Sequence, residues 1–461
     1  MTKSFPKPIS LMKLFGPSFI ILALGLGSGE IILWPYLVSN FGLGIAWGAL
    51  LGITFQYFMN MEIERYTLVK GESVFVGLNK MFRKAPYWFI FSTFIGFGIP
   101  GIIAASAKVF SHILGIDDFK WIAIAFLIFI GLILSSSKTV YGRMESITKF
   151  VILIGAPFVF ILAVLLSDAN DWVMLGKGLV GNGEGFSFLP IGIGFATFLA
   201  AFAYSGAGGN LNLTQSIYIK EKGYGMGKYA QKISGFFRIK RNEKIKLSGE
   251  DFKISKENLS NFRIWWRRIS LEHLFVFWLV GIVTMSMLML LAYSTTYSKG
   301  GDFGEGIGFV ISEGLVIGQT LTPILGLIFL AAVTIMLFQT QLGVLDSTSR
   351  IMSENFALKK LGDDEKGEIN LSKIYFIFLW AQIAFGIVLF LLNFYEPLFL
   401  IVLGAVINAF AMFVHVGMVN WMNHKVLPKE VQASWIRKLI IIGIFVFLGV
   451  FSGVTLWDKI W

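Results

Sequence analysis

Long apolar runs recur along the whole of this 461-residue chain, more of them than a soluble domain buries. Hydrophobic residues make up 56% of the chain and charged residues 15%, and the mean hydropathy is +0.73. A run of about 18 apolar residues can cross a hydrocarbon core about 30 Å thick. The sequence therefore predicts an all-α polytopic membrane protein. The eleven expected transmembrane helices cover approximately residues 14–39, 43–67, 87–114, 119–136, 141–166, 188–218, 270–295, 316–343, 372–392, 397–418 and 437–456.

The charges in the short loops predict how the chain crosses the membrane. The N-terminal segment and the loops after even-numbered spans are rich in Lys and Arg, whereas the other loops are acidic. We expect the protein in the cell membrane, that is the inner or plasma membrane. Because cytoplasmic loops carry the excess of Lys and Arg, we expect the N-terminus on the cytoplasmic side and the C-terminus on the outer side. The net charge of +11 is concentrated in these loops. The lipid bilayer is therefore the expected partner, and nucleic acid is not.

The strongest basic cluster lies in a polar insertion at 219–269, between spans six and seven. A cytoplasmic basic loop attracts anionic headgroups by about 1 kcal/mol per basic residue near the surface. Apolar and polar residues alternate between Phe236 and Ile254, a pattern that indicates a short β-hairpin. Trp265 and Trp266, beside two arginines, are expected to anchor the entry to span seven at the membrane interface.

Span one combines glycines with a carboxylate in the middle of an apolar segment. Gly25, Gly27 and Gly29 alternate, and Glu30 follows them. A glycine inside a helix costs about 1 kcal/mol relative to alanine. A charge at the bilayer centre costs about 2.5–3.5 kcal/mol on insertion scales. We therefore expect the helix to unwind here beside a cavity, with Glu30 near the positive end of the second half-helix.

Span six shows the same combination of small and polar residues. It reads Tyr204-Ser-Gly-Ala-Gly-Gly-Asn210, and a polar run continues to Thr214. Backbone groups freed by a break inside a membrane are tolerated only where they line a cavity or are covered by protein. A break in span six therefore predicts a second set of backbone groups at the same cavity.

The two predicted breaks occupy matching places, each in the first span of a set of five. Such pairs are typical of inverted-repeat transporters, whose substrate site lies at the breaks. We predict a 5+5 inverted repeat with discontinuous helices 1 and 6, in a single membrane transport domain over 1–461. The first repeat covers 1–166, the second covers 188–418, and 437–456 is an extra helix. The alternative is that these glycines are only small-residue packing faces.

At this point the chain resembles the Nramp (natural resistance-associated macrophage protein) family of leucine-transporter-fold membrane proteins. Gly16-Pro17 is similar to the start of that family's first helix, and Gln56, Glu62 and Arg65 fit its second. The likeness continues at two further motifs, the segment 141–145 at the entry to helix five and the segment 341–354 at the end of helix eight. It extends over nearly the whole membrane portion, and it implies a transport function.

This chain departs from the family at the two motifs that bind metal. In the register set by Gly16-Pro17, the family's helix-one Asp falls on Gly27 and its Asn falls on Glu30. The helix-six Met falls on Ala207, and the final Asn of that motif falls on Asn210. The carboxylate has moved by three residues and the thioether is absent. Because oxygen ligands favour Mg²⁺, Ca²⁺ or Mn²⁺, a metal carried by this chain would be a hard cation.

Candidate site residues follow from the two breaks. The expected substrate-binding residues are Gly27, Ser28, Glu30, Tyr204, Ser205, Ala207, Asn210 and Thr214, with Glu30 and Asn210 as metal ligands. The candidates for coupling or proton transfer are Glu30, Lys108, His112 and Lys149, and Gln341 and Asp346 are expected in the inner vestibule.

The four coupling candidates also have structural interpretations. Glu30 could cap a half-helix, Lys149 could pair with Glu145 four residues before it, and Lys108 and His112 could form a polar helix face.

The expected function is secondary-active transport of a small solute, most simply a hard divalent cation, with alternating access and coupling to protons. A non-metal organic solute, or a receptor without transport, is the alternative. The chain has no cysteine and no P-loop. We expect no cofactor and no enzymatic activity.

Overall fold

Helices make up most of the computed structural model, which describes residues 3–11, 14, 16–136, 140–231, 244–299, 306–362 and 366–460. The first nine α-helices are α1 (Pro17–Gly25), α2 (Trp34–Phe41), α3 (Ala46–Lys70), α4 (Val74–Met81), α5 (Ala85–Gly98), α6 (Gly101–Leu114), α7 (Lys120–Ser136), α8 (Val140–Leu166) and α9 (Ala169–Gly178).

The second half of the chain adds nine more α-helices and one small sheet. These helices are α10 (Phe195–Ala203), α11 (Thr214–Lys222), α12 (Lys256–His273), α13 (Val280–Thr295), α14 (Gly308–Thr320), α15 (Pro323–Leu361), α16 (Leu371–Leu391), α17 (Pro397–Val426) and α18 (Trp435–Ile460). Two short strands, β1 (Lys244–Lys246) and β2 (Lys366–Glu368), pair antiparallel with Ile245 opposite Gly367.

Membrane-spanning character is clear for most of the predicted spans. Among the described residues, eight helical segments are long and apolar enough to cross a bilayer, and α7 is a shorter apolar helix of 17 residues. The two other predicted spans correspond to α3, which carries buried polar residues, and to the interrupted pair α10 and α11. The polytopic helical fold is confirmed, and the count of eleven stays a prediction.

Predicted span eight, 316–343, has different boundaries in the structure. It contains the end of α14 and the start of α15, because Pro323 begins a new helix. The Thr322 side chain caps that helix by accepting a hydrogen bond from the Leu325 amide at 3.3 Å. Helix α15 then continues for 39 residues, well past the predicted end.

The insertion is folded against the N-terminal segment. Trp265 is only 2% exposed, and its Nε1 donates to the Pro6 carbonyl at 3.0 Å. The Phe5 amide donates to Asn258 Oδ1 at 2.9 Å. The expectation of Trp265 as an interfacial anchor is therefore wrong, since this side chain packs inside the protein.

The predicted hairpin in the insertion is only partly covered by the structure. Residues 236–243 lie outside the described part of the chain. Strand β1 pairs with β2, which follows α15, so its described partner is distant in sequence. The insertion is thereby joined to the segment between α15 and α16.

Burial places helix one at the centre of the bundle. The segment from Pro17 to Phe41 is almost entirely buried, whereas α8 and α18 expose most of their apolar surface. Exposed apolar side chains on the outer helices are expected where a protein faces lipid. The polar residues of helix one therefore face other protein elements.

Candidate functional site

Helix one is interrupted at the predicted position. Helix α1 ends at Gly25, Leu26 and Gly27 form a turn, and a π-helical segment from Ser28 to Leu33 leads into α2. The interruption is short, because two residues separate α1 from the π-helical segment, whose turn is wider than that of an α-helix. Thr340 of α15 covers one of the affected backbone groups by donating from Oγ1 to the Ala23 carbonyl at 3.2 Å.

Helix six has a longer break. Helix α10 ends at Ala203, residues 204–208 are not helical, and a 3₁₀ segment from Gly209 to Leu213 leads into α11. Gln56 of α3 bridges the break with both ends of its side-chain amide. Its Nε2 donates to the Ala203 carbonyl at 2.9 Å, and its Oε1 accepts from the Gly208 amide at 3.1 Å. One buried glutamine thus satisfies a carbonyl and an amide that the break leaves unpaired.

The two breaks contact each other through glycines. A Cβ atom added to Gly25 would lie 2.6 Å from the carbonyl carbon of Gly206, and one added to Gly29 would overlap the Tyr204 carbonyl oxygen. A Cβ on Gly27 would lie 2.5 Å from Cγ2 of Thr340. These glycines therefore allow close backbone packing, as the alternative interpretation holds, and this packing brings the two breaks together.

Glu30 lies within this contact region, in the π-helical segment. Its side chain is 0% exposed, and neither carboxylate oxygen has a hydrogen-bond partner in the part of the chain that the structure describes. An ionised carboxylate buried without a partner is costly. The position is therefore suited to a carboxylate that binds a proton or a cation.

A small cavity borders the helix-six break. It has a volume of about 10 Å³, room for about one water molecule, and its polar lining residues are Tyr204 and Gln341. The Tyr204 hydroxyl accepts a hydrogen bond from Asn408 Nδ2 at 2.8 Å, and its ring stacks on Phe97 at 6.3 Å between centroids. Gln341, expected in the inner vestibule, thus lies at the level of the break.

The other residues predicted in helix six have different surroundings. Asn210 Nδ2 donates to Ser92 Oγ at 2.8 Å, while Asn210 Oδ1 has no partner among the described residues. Ser205 Oγ accepts from Trp34 Nε1 at 2.9 Å. The Thr214 hydroxyl donates to the Leu211 carbonyl at 2.5 Å and so is used locally.

Ala207 is buried at 2% exposure and offers only backbone polar atoms. Ser28, next to Glu30, is 3% exposed. The structure thus brings Gly29 against Tyr204 and Trp34 against Ser205, but no hydrogen bond joins Glu30 to Asn210 within the described residues.

The other three coupling candidates, Lys108, His112 and Lys149, have surroundings different from those of Glu30. His112 is exposed at the end of α6, and Lys108 is partly exposed one turn before it. Lys149 Nζ lies 5.8 Å from the Phe19 ring centroid and interacts electrostatically with Glu272. The predicted pairing of Lys149 with Glu145 falls outside the described side chains.

Asp346 belongs to a buried ion network. Arg350 Nε donates to its carboxylate at 3.0 Å, Tyr375 donates to it at 2.7 Å, and Arg350 also binds Glu221 at 3.0 Å. Asp346 is 2% exposed. This network joins α11, α15 and α16, so Asp346 contributes to helix packing in this conformation.

A second buried polar cluster was not among the candidates. It contains Ser18, Glu64, Gln215, Glu272 and His273, from four helices. Glu64, Glu272 and His273 all lie inside predicted spans two and seven. An ionisable residue within a predicted span is itself a signal for function, and applying that rule to every span would have found them.

Two contacting discontinuous helices inside a polytopic bundle define a fold class that is found among solved structures. The Eremococcus coleocola manganese transporter, as a point mutant, superposes with a TM-score of 0.72 at 11% identity, covering 100% of this chain and 90% of that chain. Its complex with an aromatic bis-isothiourea substituted compound gives 0.69 at 11% identity, over 100% and 90%. MhsT in complex with L-phenylalanine gives 0.50 at 12% identity, over 95% and 97%.

These likenesses show that the chain has the fold of these transporters, the leucine-transporter fold that the sequence predicts. No protein-family model matches the chain, and no curated protein matches it. The fold is therefore established at a sequence identity too low to transfer a substrate.

Proposed function

We propose that this protein is a secondary-active transporter that carries a hard divalent cation across the membrane by alternating access. The observation that carries the proposal is the Glu30 carboxylate, fully buried where the two interrupted helices meet and without a partner among the described residues. A cation that binds there would supply the charge that the buried carboxylate needs.

The chemistry of the nearby groups favours a hard cation. The side chains proposed as ligands, Glu30, Ser28 and Asn210, offer oxygen atoms, and Ala207 offers no sulfur. Carboxylate and carbonyl oxygens suit Mg²⁺, Ca²⁺ and Mn²⁺. Asn210 Oδ1, which has no partner in the described part of the chain, is the second proposed ligand.

The test is uptake by purified protein in proteoliposomes. The panel contains Mg²⁺, Mn²⁺, Ca²⁺, amino acids and small organic solutes, each with and without a pH gradient. We expect uptake of at least one divalent cation, and we expect Glu30→Gln to abolish it because the amide keeps the shape and removes the charge.

Glu313→Gln is the matched control. Glu313 is also a buried carboxylate, 4% exposed, but it lies on α14, which is separate from both breaks. The proposal predicts full uptake by this variant. Unchanged cation uptake by Glu30→Gln, or uptake of an organic solute and no cation, would contradict the proposal.

A further inference from the structure

A buried cluster of ionisable groups lies where α1, α3, α11 and α12 meet, apart from the proposed cation site. Ser18 Oγ is 2.5 Å from Glu272 Oε2 and 2.8 Å from His273 Nδ1. Glu64 Oε1 accepts from Gln215 Nε2 at 2.7 Å and lies 3.3 Å from His273 Nδ1. None of the five side chains is more than 5% exposed.

The hydrogen bonds in this cluster determine where protons are held. The Ser18 hydroxyl has one hydrogen, and the short distance to the Glu272 carboxylate assigns that hydrogen to Glu272. His273 Nδ1 must then carry a hydrogen in order to bond to Ser18 Oγ. Glu272 Oε1, Glu64 Oε2 and His273 Nε2 have no hydrogen-bond partner within the described residues. Three buried atoms can therefore accept a proton.

The charged groups around the cluster do not remove the need for a bound proton. Two neighbouring buried carboxylates cannot both stay ionised at low cost, since burial and mutual repulsion act together. The other charged or titratable groups that act on them are Tyr57 of α3, Lys149 of α8 and Arg437 of α18. Arg437 is already paired with Glu62 at 2.6 Å. A shared proton between Glu64, His273 and Glu272 lowers the remaining cost.

The cluster is attached to the start of helix one. The Gly16 amide and the Ser18 hydroxyl both bond to the Glu272 carboxylate, at the N-terminus of α1. The positive end of a helix dipole favours an anion there. The His273 ring is fixed by stacking on Phe277 at 4.7 Å and on Tyr57 at 5.7 Å. Through Ser18, the cluster therefore holds the first turn of α1.

We propose that Glu64, His273 and Glu272 form the proton site that couples transport, and that their proton occupancy controls the docking of α1. With the proton bound, the cluster holds one fewer negative charge and α1 stays docked through Ser18. On release, the bond between the proton and its carboxyl oxygen or imidazole nitrogen breaks, the proton passes to water, and the second carboxylate charge favours hydration over burial. This inference rests on the proposed transport function, because it assigns the coupling ion.

The experiment measures Mn²⁺ entry and internal acidification together in proteoliposomes with an acidic exterior. Entry is followed by quenching of a trapped dye and acidification by a trapped pH indicator. We expect Glu64→Gln and Glu272→Gln to admit Mn²⁺ down its own gradient, while acidification falls to the level of protein-free vesicles. Glu313→Gln should keep both signals. Acidification per Mn²⁺ at the wild-type value in both variants would overturn the proposal.

A second measurement separates this inference from the transport proposal and does not require uptake. Infrared difference spectra of purified protein should show a protonated carboxyl band that disappears at high pH and is absent or shifted in Glu64→Gln or Glu272→Gln. If the wild-type protein carries no cation but shows this band, the transport proposal fails and the proton site stands. A spectrum unchanged in both variants would refute the site, whatever the uptake result.

Discussion

The bridge made by Gln56 across the helix-six break can be tested by replacing the residue with methionine. Methionine is similar in length and apolar, so Gln56→Met removes both hydrogen bonds and leaves the packing volume nearly unchanged. The Ala203 carbonyl and the Gly208 amide, bonded at 2.9 and 3.1 Å, would then lose their partner. Gln56 is 0% exposed, so water does not replace it without rearrangement.

The magnitude follows from the number of groups left unpaired. Each buried polar group without a partner costs about 1–3 kcal/mol, so two of them cost about 2–6 kcal/mol of the free energy of unfolding. Equilibrium unfolding in mixed detergent micelles, followed by tryptophan fluorescence, measures this difference. We expect the variant to fold and to unfold at a lower fraction of denaturing detergent.

Gln382→Met provides the control at another buried glutamine. Gln382 is 1% exposed, and it bonds to the hydroxyls of Thr348 at 2.8 Å and Ser349 at 3.2 Å. The Ser349 hydroxyl donates to the Leu345 carbonyl, and the single hydrogen of the Thr348 hydroxyl can turn from Gln382 to the Val344 carbonyl, so both keep a partner after the substitution. We expect a loss of about 1–3 kcal/mol for these two hydrogen bonds, smaller than for Gln56→Met because no buried hydroxyl is left unpaired. Equal losses in the two variants would refute the bridging role of Gln56.

Two other substitutions test the packing around the breaks and the ion network. Gly29→Ala should reduce the yield of monodisperse protein in size-exclusion chromatography, because its Cβ would overlap the Tyr204 carbonyl oxygen, whereas Gly176→Ala, with open space around the new Cβ, should express normally. Normal behaviour of Gly29→Ala would show that the contact between the breaks is loose. Asp346→Asn leaves the buried Arg350 with less compensating charge, and we expect a loss of about 3–5 kcal/mol in the same unfolding assay. A loss below about 1 kcal/mol, the range of an exposed ion pair, would show that the Asp346–Arg350 pair contributes little to stability.

The fold class and the two interruptions follow from the sequence, because apolar length and glycine placement are local signals. The alternating glycines before Glu30 and the run between Tyr204 and Asn210 marked both breaks. The residue that stabilises the helix-six break was not predictable in this role. Gln56 lies 147 residues before Ala203 in the chain, and only the packing of α3 against the break joins them.

The start of α15 and the arrangement of the insertion were predicted less well. Hydropathy does not distinguish the end of α14 from the beginning of α15, although Thr322-Pro323 is a helix-start signal that could have been used. Trp265 has the composition of an interfacial anchor, but the N-terminal segment covers it. Segments far apart in sequence determine this contact, and charge patterns do not report it.

The bond between Trp265 and the Pro6 carbonyl has a mechanical consequence. Helix α12 is continuous with α13 in one helical segment, Lys256–Thr295. The residues before helix one are therefore hydrogen-bonded to the N-terminal extension of span seven. If α1 tilts away from the bundle, either α12 moves with it or the Trp265–Pro6 hydrogen bond breaks. Flexible residues inserted between Pro6 and Pro17 would uncouple the motion of α1 from that of α12. A fusion partner attached at the N-terminus would hinder the motion of both helices.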